Sequence, residues 1–193
     1  MNTKKIRGIF IVLLLLAFPL SQAWADECQD AAQLFRNAGD SARFFDNSYG
    51  YAIFPSIGKG GIGVGGAYGK GCVYAQGKHV GNATMTQVSI GFQLGGEAYT
   101  QIIFFQDKRA FEEFTSGNFE FSANAHAVAI TAGASASAST AGNSAGISGG
   151  QHDAKTVGAS YNKGMATFVI AKGGLMYEAS LAGQKYKYMP LGN

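Results

Sequence analysis

The sequence contains few of the residues from which metal centres and catalytic sites are built. Its 193 residues include three histidines and two cysteines. His79, His126 and His152 share no metal-ligand spacing with one another or with a cysteine. The carboxylate pair Glu112–Glu113 falls on a short predicted helix and is typical of a solvated helix face. We therefore expect no metal and no other cofactor, and we predict that the protein is not an enzyme.

Two serine motifs match catalytic patterns without the context that catalysis requires. Ser56 and Lys59 form an S-x-x-K match, but the glycines around them oppose the helix that would place lysine one turn from serine. Ser148 lies in a G-x-S-x-G match followed by His152 and Asp153, inside a tract of small polar residues. A nucleophile elbow needs a strand before the serine and a helix after it. Both matches are therefore interpreted as non-catalytic, with hydrolase as the minor hypothesis.

The longest apolar run is too short to cross a bilayer. It extends from Ile9 to Phe18, ten residues, whereas a spanning helix needs about 20. Basic residues precede it, Pro19 follows it, and Ala23-Trp24-Ala25 has the form of a signal-peptidase site. The sequence predicts a signal peptide over residues 1–25 and a periplasmic or secreted mature chain, the alternative being an N-terminal anchor helix.

The mature chain has no excess of either charge. The full sequence has 15 Lys+Arg and 12 Asp+Glu, and the signal peptide holds three of the basic residues and none of the acidic ones. The remaining 12 of each sign give no global attraction to a polyanion, so nucleic acid is not an expected partner. Five lysines but only two acids follow Phe121, which places any anion-binding face towards the C-terminal part of the chain.

Glycine is abundant, and it is concentrated between Tyr51 and Gly71. Gly61, Gly63 and Gly66 satisfy G-x-G-x-x-G, but no helix signal follows, and the first acidic residue after Asp46 is Glu97. A dinucleotide site needs both that helix and an acid about 20 residues further on. The run is therefore predicted to form sharply curved or closely approached β structure, with Gly63 and Gly65 on a bent strand.

The glycine run, GYAIFPSIGKGGIGVGGAYGKG, resembles the signature of the SYLF domain family. Three later segments resemble the same family, in the same order: Thr86–Phe105, Gly117–Ala138 and Tyr161–Tyr188. The resemblance implies binding of anionic lipid head groups, which are phosphoinositides in eukaryotic members, and no established chemistry. Actin binding is also associated with eukaryotic members, but an exported bacterial-type chain does not meet actin, so that partner is not carried over.

The expected fold class is mainly β (α+β), as a single SYLF-like domain over residues 26–193. It is a curved antiparallel sheet or incomplete barrel with one N-terminal helix over Glu27–Phe45 and one short helix capped by Asp107. Alternation predicts a half-buried strand over 87–94 with Val88 on its apolar side. The runs 165–171 and 175–181 suggest a hairpin, and the Ala/Ser/Gly-rich tract 131–150 is either a loop or closely packed strands.

The best local signal for lipid contact is the C-terminal strand, in which lysine alternates with tyrosine. Lysine ammonium groups can meet phosphates while aromatic rings lie at head-group depth. The predicted lipid-binding residues are Lys59, Lys70, Lys172, Lys185, Tyr186, Lys187 and Tyr188. The alternative for the C-terminal strand is an edge strand protected from aggregation by lysine.

The sequence leaves the pairing of the two cysteines open. In an oxidising compartment Cys28 and Cys72 can pair, or Cys28 can lie near the surface and Cys72 in the core.

The leading hypothesis for function is a non-enzymatic lipid-binding module of the bacterial cell envelope, whose partners are anionic phospholipids or a membrane surface. The alternative is a structural or protein-interaction component of the periplasm, with an envelope protein as its partner.

Overall fold

A computed structural model describes residues 20–62, 64–90, 96–122, 125–130, 160–172 and 181–192. Three helices lie in these ranges: α1 (Leu20–Arg36), α2 (Gly39–Asn47) and α3 (Lys108–Thr115). The strands are β1 (Gly50–Ile62), β2 (Val64–Ala75), β3 (Lys78–Ile90), β4 (Gly96–Phe105), β5 (Phe119–Glu120), β6 (Val128–Ile130), β7 (Met165–Lys172) and β8 (Lys185–Pro190). None of the described helices has the length and hydropathy needed to cross a bilayer.

All eight strands join one sheet, in the order β5-β8-β3-β2-β1-β4-β7-β6. Neighbouring strands are antiparallel except for β6 and β7, which run parallel. Three strands separate β4 from β8, yet Gln101 on β4 donates a hydrogen bond to the Tyr186 hydroxyl on β8. Side chains so far apart in the sheet meet only because the sheet curls. The predicted mainly β fold with an incomplete barrel is confirmed.

The curled sheet buries side chains on both faces. We call the concave side, which holds Phe54, Met85, Phe105, Phe114 and Tyr186, the inner face. The outer face is packed by α1 and α2, and its core contains Cys28, Phe35, Ile53, Phe104 and Phe168. Consecutive residues of β1 and β4 therefore enter opposite cores, which explains why these strands read as continuous apolar runs instead of alternating ones.

A bulge in β1 explains the glycines that face it. Pairing with both neighbouring strands shifts register between Ile53 and Ile57, around Pro55, which has no N–H to donate. A Cβ at Gly71 would lie 2.7 Å from Cδ1 of Phe54, and one at Gly69 would lie 2.6 Å from Cγ1 of Ile57. The glycine run thus forms the β1–β2 hairpin, as the curved β interpretation predicts, although Gly63 lies outside the described residues.

The N-terminal helical region differs from the single helix predicted over Glu27–Phe45. The helix ends at Arg36, and a second one begins at Gly39 after an extended Ala38. The hydroxyl of the buried Ser41 donates to the Phe35 carbonyl at 2.7 Å and thereby fixes the corner between them. The break lies where glycine weakens a continuous helix, and the corner lets both Phe35 and Phe44 enter the outer core.

Helix α1 begins before the predicted cleavage site, which falls inside it. Among residues 23–36 of α1, the buried ones are Cys28, Ala31, Ala32 and Phe35, which follow that site. The sulfur atoms of Cys28 and Cys72 form a disulfide across 44 residues of sequence, and both residues are fully buried. The disulfide ties α1 to β2, and Cys28, Ala31 and Phe35 of the outer core follow the predicted cleavage site, whereas Trp24, which precedes it, is only partly buried against that core.

Three other local predictions have different outcomes. The carboxylate of Asp107 accepts a hydrogen bond from the Ala110 N–H at 2.8 Å, so the predicted cap of α3 is confirmed. Of the strand predicted over 87–94, the structure describes only the part up to Ile90, and there the orientation is opposite to the predicted one: Val88 is 76% exposed, while Gln87 is half-buried and donates to the Ala182 carbonyl. The tract 131–150 and most of the second strand of the predicted hairpin, 175–180, lie outside the described residues.

Candidate functional site

Strand β8 separates the residues predicted for lipid contact into two groups. Because side chains alternate along a strand, Tyr186 and Tyr188 project to the inner face, and Lys185 and Lys187 project to the outer face. Both lysines are exposed. The predicted alternation of lysine and tyrosine is therefore present, but only the lysines are presented to solvent.

A cross-strand row on the outer face connects Lys185 to Lys172. Residues paired directly across neighbouring strands project to the same side of a sheet. The row passes through six strands: Lys185, Thr86, Tyr68, Gly58, Ala98, Lys172. Thr86, Gly58 and Ala98 have small side chains, and Tyr68 is 51% exposed. The row is therefore a shallow surface with a lysine at each end and an aromatic ring between them.

The neighbouring row adds two more lysines. Ser56 pairs with Lys70, Lys70 with Thr84, and Thr84 with Lys187. Lys70 and Lys187 are both exposed. Four of the seven predicted residues thus share the uncovered part of the outer face. We call Lys70, Lys172, Lys185 and Lys187 the lysine face.

Few acids balance this surface in the described part of the chain. Lys185 Nζ lies 3.5 Å from Glu120 Oε2, with both side chains at least half exposed. Such an exposed pair is weak, so Lys185 can exchange this partner for an external anion. No described carboxylate is within ion-pair distance of Lys70, Lys172 or Lys187. The lysine face is therefore a local cationic surface, although basic and acidic residues are equal in number after residue 25.

Tyr186 is not on the surface, which corrects its assignment as a lipid-binding residue. It is 2% exposed, and its hydroxyl accepts from Gln101 Nε2 at 2.6 Å and donates to Gln184 Oε1. Gln184 Nε2 in turn donates to the Tyr99 hydroxyl at 3.2 Å. Burial raises the pKa of both Tyr186 and Tyr99, so both stay neutral at physiological pH. This inner network belongs to the core.

Tyr188 and Lys59 also lie away from the lysine face. The Tyr188 hydroxyl donates to the Val80 carbonyl at 3.0 Å, and its ring covers Gly81, where a Cβ would lie 2.6 Å from Cζ of the ring. Lys59 is half-buried and follows Ile57 on the inner side of β1 after the bulge. The bulge shifts the phase of β1, and that shift, which the sequence does not show, separates Lys59 from Lys70.

Three exposed apolar side chains that were not predicted from the sequence lie beside the lysine face. Val64, Tyr68 and Val88 are 64%, 51% and 76% exposed. Val88 pairs with Gly66, and Val64 and Tyr68 lie two residues to either side of Gly66 on β2. The signal was present in the sequence, since Val64 and Tyr68 stand on the same side of β2 as Lys70. The apolar alternation of β3 suggested burial instead.

The described residues do not form the catalytic arrangements considered above. Ser56 pairs with Lys70 on the outer face, whereas Lys59 lies on the inner side, so the S-x-x-K residues project to opposite faces of β1. Ser148 and His152 lie outside the described ranges. Within those ranges, no group of three or more His, Cys, Asp and Glu side chains could hold a metal ion.

A cavity of about 220 Å³ lies between β5, β6 and β7. Phe119, Phe121 and Leu181 supply apolar walls, while Glu113 and Lys163 bring opposite charges to its lining. None of the seven predicted residues lines it. Its mixed charge gives no preference for an anion, so the lysine face remains the candidate site.

Comparison with known proteins assigns the family. The family model for the Las17-binding protein actin regulator (Ysc84), which is the SYLF family, matches residues 86–188, just over half of the chain. The chain belongs to this family. The match includes the end of β3, all of β4 and β7 and most of β8, and therefore contains Lys172, Lys185 and Lys187. SYLF-family membership points to a lipid-binding or actin-regulator-like module, and the family is generally non-catalytic.

A bacterial relative is similar over most of this chain. Beta cell expansion factor A from Aeromonas veronii is 29% identical over 156 residues, which are 80% of this chain and 51% of the relative. The chain therefore spans about half the length of that protein. The similarity shows that a SYLF-family chain also occurs within a longer bacterial protein.

Proposed function

We propose that this chain is a non-enzymatic module that binds anionic phospholipid head groups through its lysine face, in the bacterial cell envelope. The observation that carries the proposal is the cross-strand arrangement of Lys70, Lys172, Lys185 and Lys187 on an uncovered sheet surface. Membership of the SYLF family supports it, because this family includes lipid-binding modules.

The arrangement suits a membrane better than a small anion. The lysines lie on several strands of a broad, shallow surface and do not converge on one point. Each basic residue near an anionic bilayer contributes about 1 kcal/mol, and the contributions add over a surface that many head groups can cover. The tyrosine in the middle of the row is of the type enriched at membrane interfaces.

Export to the cell envelope is the second part of the proposal. The sequence up to Ala25 has the pattern of a signal peptide, and the disulfide between Cys28 and Cys72 is of the kind that persists in oxidising compartments. Mass spectrometry of the protein recovered from the envelope fraction should give a chain that begins near Asp26. Recovery of the full-length chain from the cytoplasm alone would contradict export.

Vesicle co-sedimentation tests the lipid part. The protein is expected to bind phosphatidylglycerol-containing vesicles more tightly than phosphatidylcholine vesicles, and to bind them more weakly as salt is raised. Changing Lys70, Lys172 and Lys187 together to glutamine should weaken binding roughly 100-fold, since three contributions of about 1 kcal/mol are lost.

A matched control removes the same charge elsewhere. Lys78, Lys108 and Lys163 are exposed and lie off the lysine face, at the start of β3, on α3 and before β7. Changing these three to glutamine should leave vesicle binding nearly unchanged. Equal weakening by both triple variants would show that net charge, and not this surface, is responsible. Failure of the unmodified protein to bind anionic vesicles at low salt would refute the proposal.

The alternative function, a protein-interaction component of the periplasm, rests on the balanced charge of the mature chain. It predicts lipid-independent fractionation and a cross-linked envelope protein whose recovery depends on the outer face. Cross-linking without lipid separates the two functions. A protein partner would be recovered in the absence of lipid, and the lysine-face variants would lower that recovery.

A further inference from the structure

The exposed apolar side chains of the described residues are concentrated at one end of the outer face. Six large apolar residues are at least 40% exposed, and three of them are Val64, Tyr68 and Val88. Single exposed apolar residues are ordinary, whereas a contiguous group marks an interaction site. We call Val64, Tyr68 and Val88 the apolar tip.

The register holds these three side chains together. Val88 is paired with Gly66, which has no side chain, and the residues two positions before and after Gly66 are Val64 and Tyr68. All three project to the outer face, because Ala67 and Met85, which alternate with them, are in the inner core. The apolar tip is thus a small surface on two neighbouring strands.

The apolar tip lies at a defined distance beyond the lysines. Tyr68 is in the same cross-strand row as Lys172 and Lys185. Strands rise about 3.3 Å per residue, so Val88 lies about 7 Å and Val64 about 13 Å beyond that row. Lys70 and Lys187 lie one row behind it, in the opposite direction. Along the strands the surface therefore changes from the row of Lys70 and Lys187, through a row that holds two lysines and Tyr68, to the aliphatic Val88 and Val64.

This order matches the profile of a bilayer surface. Lysine ammonium groups pair with phosphates, tyrosine rings occupy the interface, and aliphatic side chains prefer the acyl region. Interfacial protein elements bury about 5–10 Å of apolar face below the head groups, comparable to the separation between the lysine row and Val88.

We propose that the apolar tip inserts below the head groups of an anionic bilayer while the lysine face stays at the phosphates. This inference rests on the proposed function and adds the orientation and depth of binding. It predicts a component of membrane binding that persists when salt screens the lysines. It also predicts stronger binding to highly curved vesicles, where acyl chains are more accessible.

Depth-dependent fluorescence quenching tests the insertion. Val88→Trp places a tryptophan on the apolar tip, and Leu34→Trp places one on an exposed position of α1. Leu34 is two residues before Arg36, whose guanidinium lies over the Phe45 ring, which packs on Tyr51 at the start of β1. Bound to phosphatidylglycerol vesicles that contain brominated acyl chains, Val88→Trp should be quenched strongly. Cleavage near Ala25 removes Trp24, the single tryptophan of the sequence, so each variant of the exported chain reports from its introduced tryptophan alone, and Leu34→Trp should show little quenching.

Removal of the aliphatic side chains gives a second readout. Val64→Ser with Val88→Ser should reduce binding to anionic vesicles about tenfold and make the remaining binding fully salt-sensitive. Leu34→Ser is the matched control and should change neither. Since the valines are exposed, the double variant should fold normally, which a thermal melt would verify.

The outcomes separate this inference from the proposed function. If the parent binds anionic vesicles but Val88→Trp is quenched no more than Leu34→Trp, insertion is refuted and head-group binding stands. If the valine substitutions convert a soluble dimer to a monomer without changing vesicle binding, the apolar tip is a contact between copies of the chain, and insertion is again refuted. If the parent does not bind vesicles at all, both proposals fail.

Discussion

The amide nitrogen of Gln101 lies 2.6 Å from the hydroxyl oxygen of Tyr186, across the inside of the curled sheet. Gln101 is on β4 and Tyr186 is on β8, and three strands separate them in the sheet. The hydrogen bond therefore holds the curl closed at a point between the two outward-facing lysines of β8. The Tyr186 side chain on the inner face stabilises the fold, and its sequence neighbours Lys185 and Lys187 on the outer face form part of the lysine face.

Tyr186→Phe should reduce the free energy of unfolding by roughly 1–3 kcal/mol. The change removes one hydroxyl and leaves the buried amides of Gln101 and Gln184 with fewer partners, in a network where Gln101 Oε1 already lacks one among the described residues. Urea denaturation would measure the change. Tyr188→Phe, which removes a hydrogen bond from a half-buried ring, should have the smaller effect. Equal stability of Tyr186→Phe and the parent would mean that the network gives no net stabilisation.

Stability should fall steeply at alkaline pH. Burial raises the pKa of Tyr99 and of Tyr186 above the ordinary value of 10.0. Above pH 10 the unfolded chain releases these protons and the folded chain keeps them, so the stabilisation present below that pH is lost as pH rises. Each tyrosine should contribute a slope of about 1.4 kcal/mol per pH unit. Denaturant titrations between pH 8 and pH 11 would measure it, and Tyr186→Phe should show a shallower slope.

The sheet was predictable because its determinants are local. Alternation in β8, the cap at Asp107 and the glycines of the β1–β2 hairpin depend on neighbouring residues, and each predicts the observed element. The break between α1 and α2 was not predictable, because it depends on how Phe35 and Phe44 pack against strands distant in sequence. Tertiary packing decides where a helix of modest propensity ends.

The candidate site was predictable only in part, for the same reason. Lys185 and Lys187 are placed by alternation alone. Strand order decides that Lys70 and Lys172 share a face with these two lysines, and the bulge in β1 decides that Lys59 does not. The apolar tip depends on which side of β3 faces the core, and alternation by itself gives two sides without saying which is buried. The burial of Tyr186 could be predicted only from the position of β8 opposite β4 in the curled sheet.

Loss of the disulfide should destabilise the protein by about 2–4 kcal/mol. Cys28 and Cys72 are 44 residues apart in sequence, so the bridge restricts a long loop of the unfolded chain and fixes α1 on the outer face. Thermal melts with and without reductant would measure the effect. The Cys28→Ala, Cys72→Ala double variant should match the reduced parent and should not respond to reductant. A melting temperature that reductant leaves unchanged in the parent would contradict a stabilising role.

A side chain at Gly71 should destabilise the hairpin, whereas one at Gly58 should not. The Cβ of Gly71→Val would lie 2.7 Å from Cδ1 of Phe54, a core ring beside the bulge of β1. Relieving that overlap should cost roughly 1–3 kcal/mol. Gly58→Ala is the matched control on the facing strand, because no atom lies within 4 Å of its added Cβ. Urea denaturation of both variants would give the comparison. Full stability of Gly71→Val combined with loss of vesicle binding would mean that the glycines serve as a contact surface for lipid and not to allow close approach of β1 and β2.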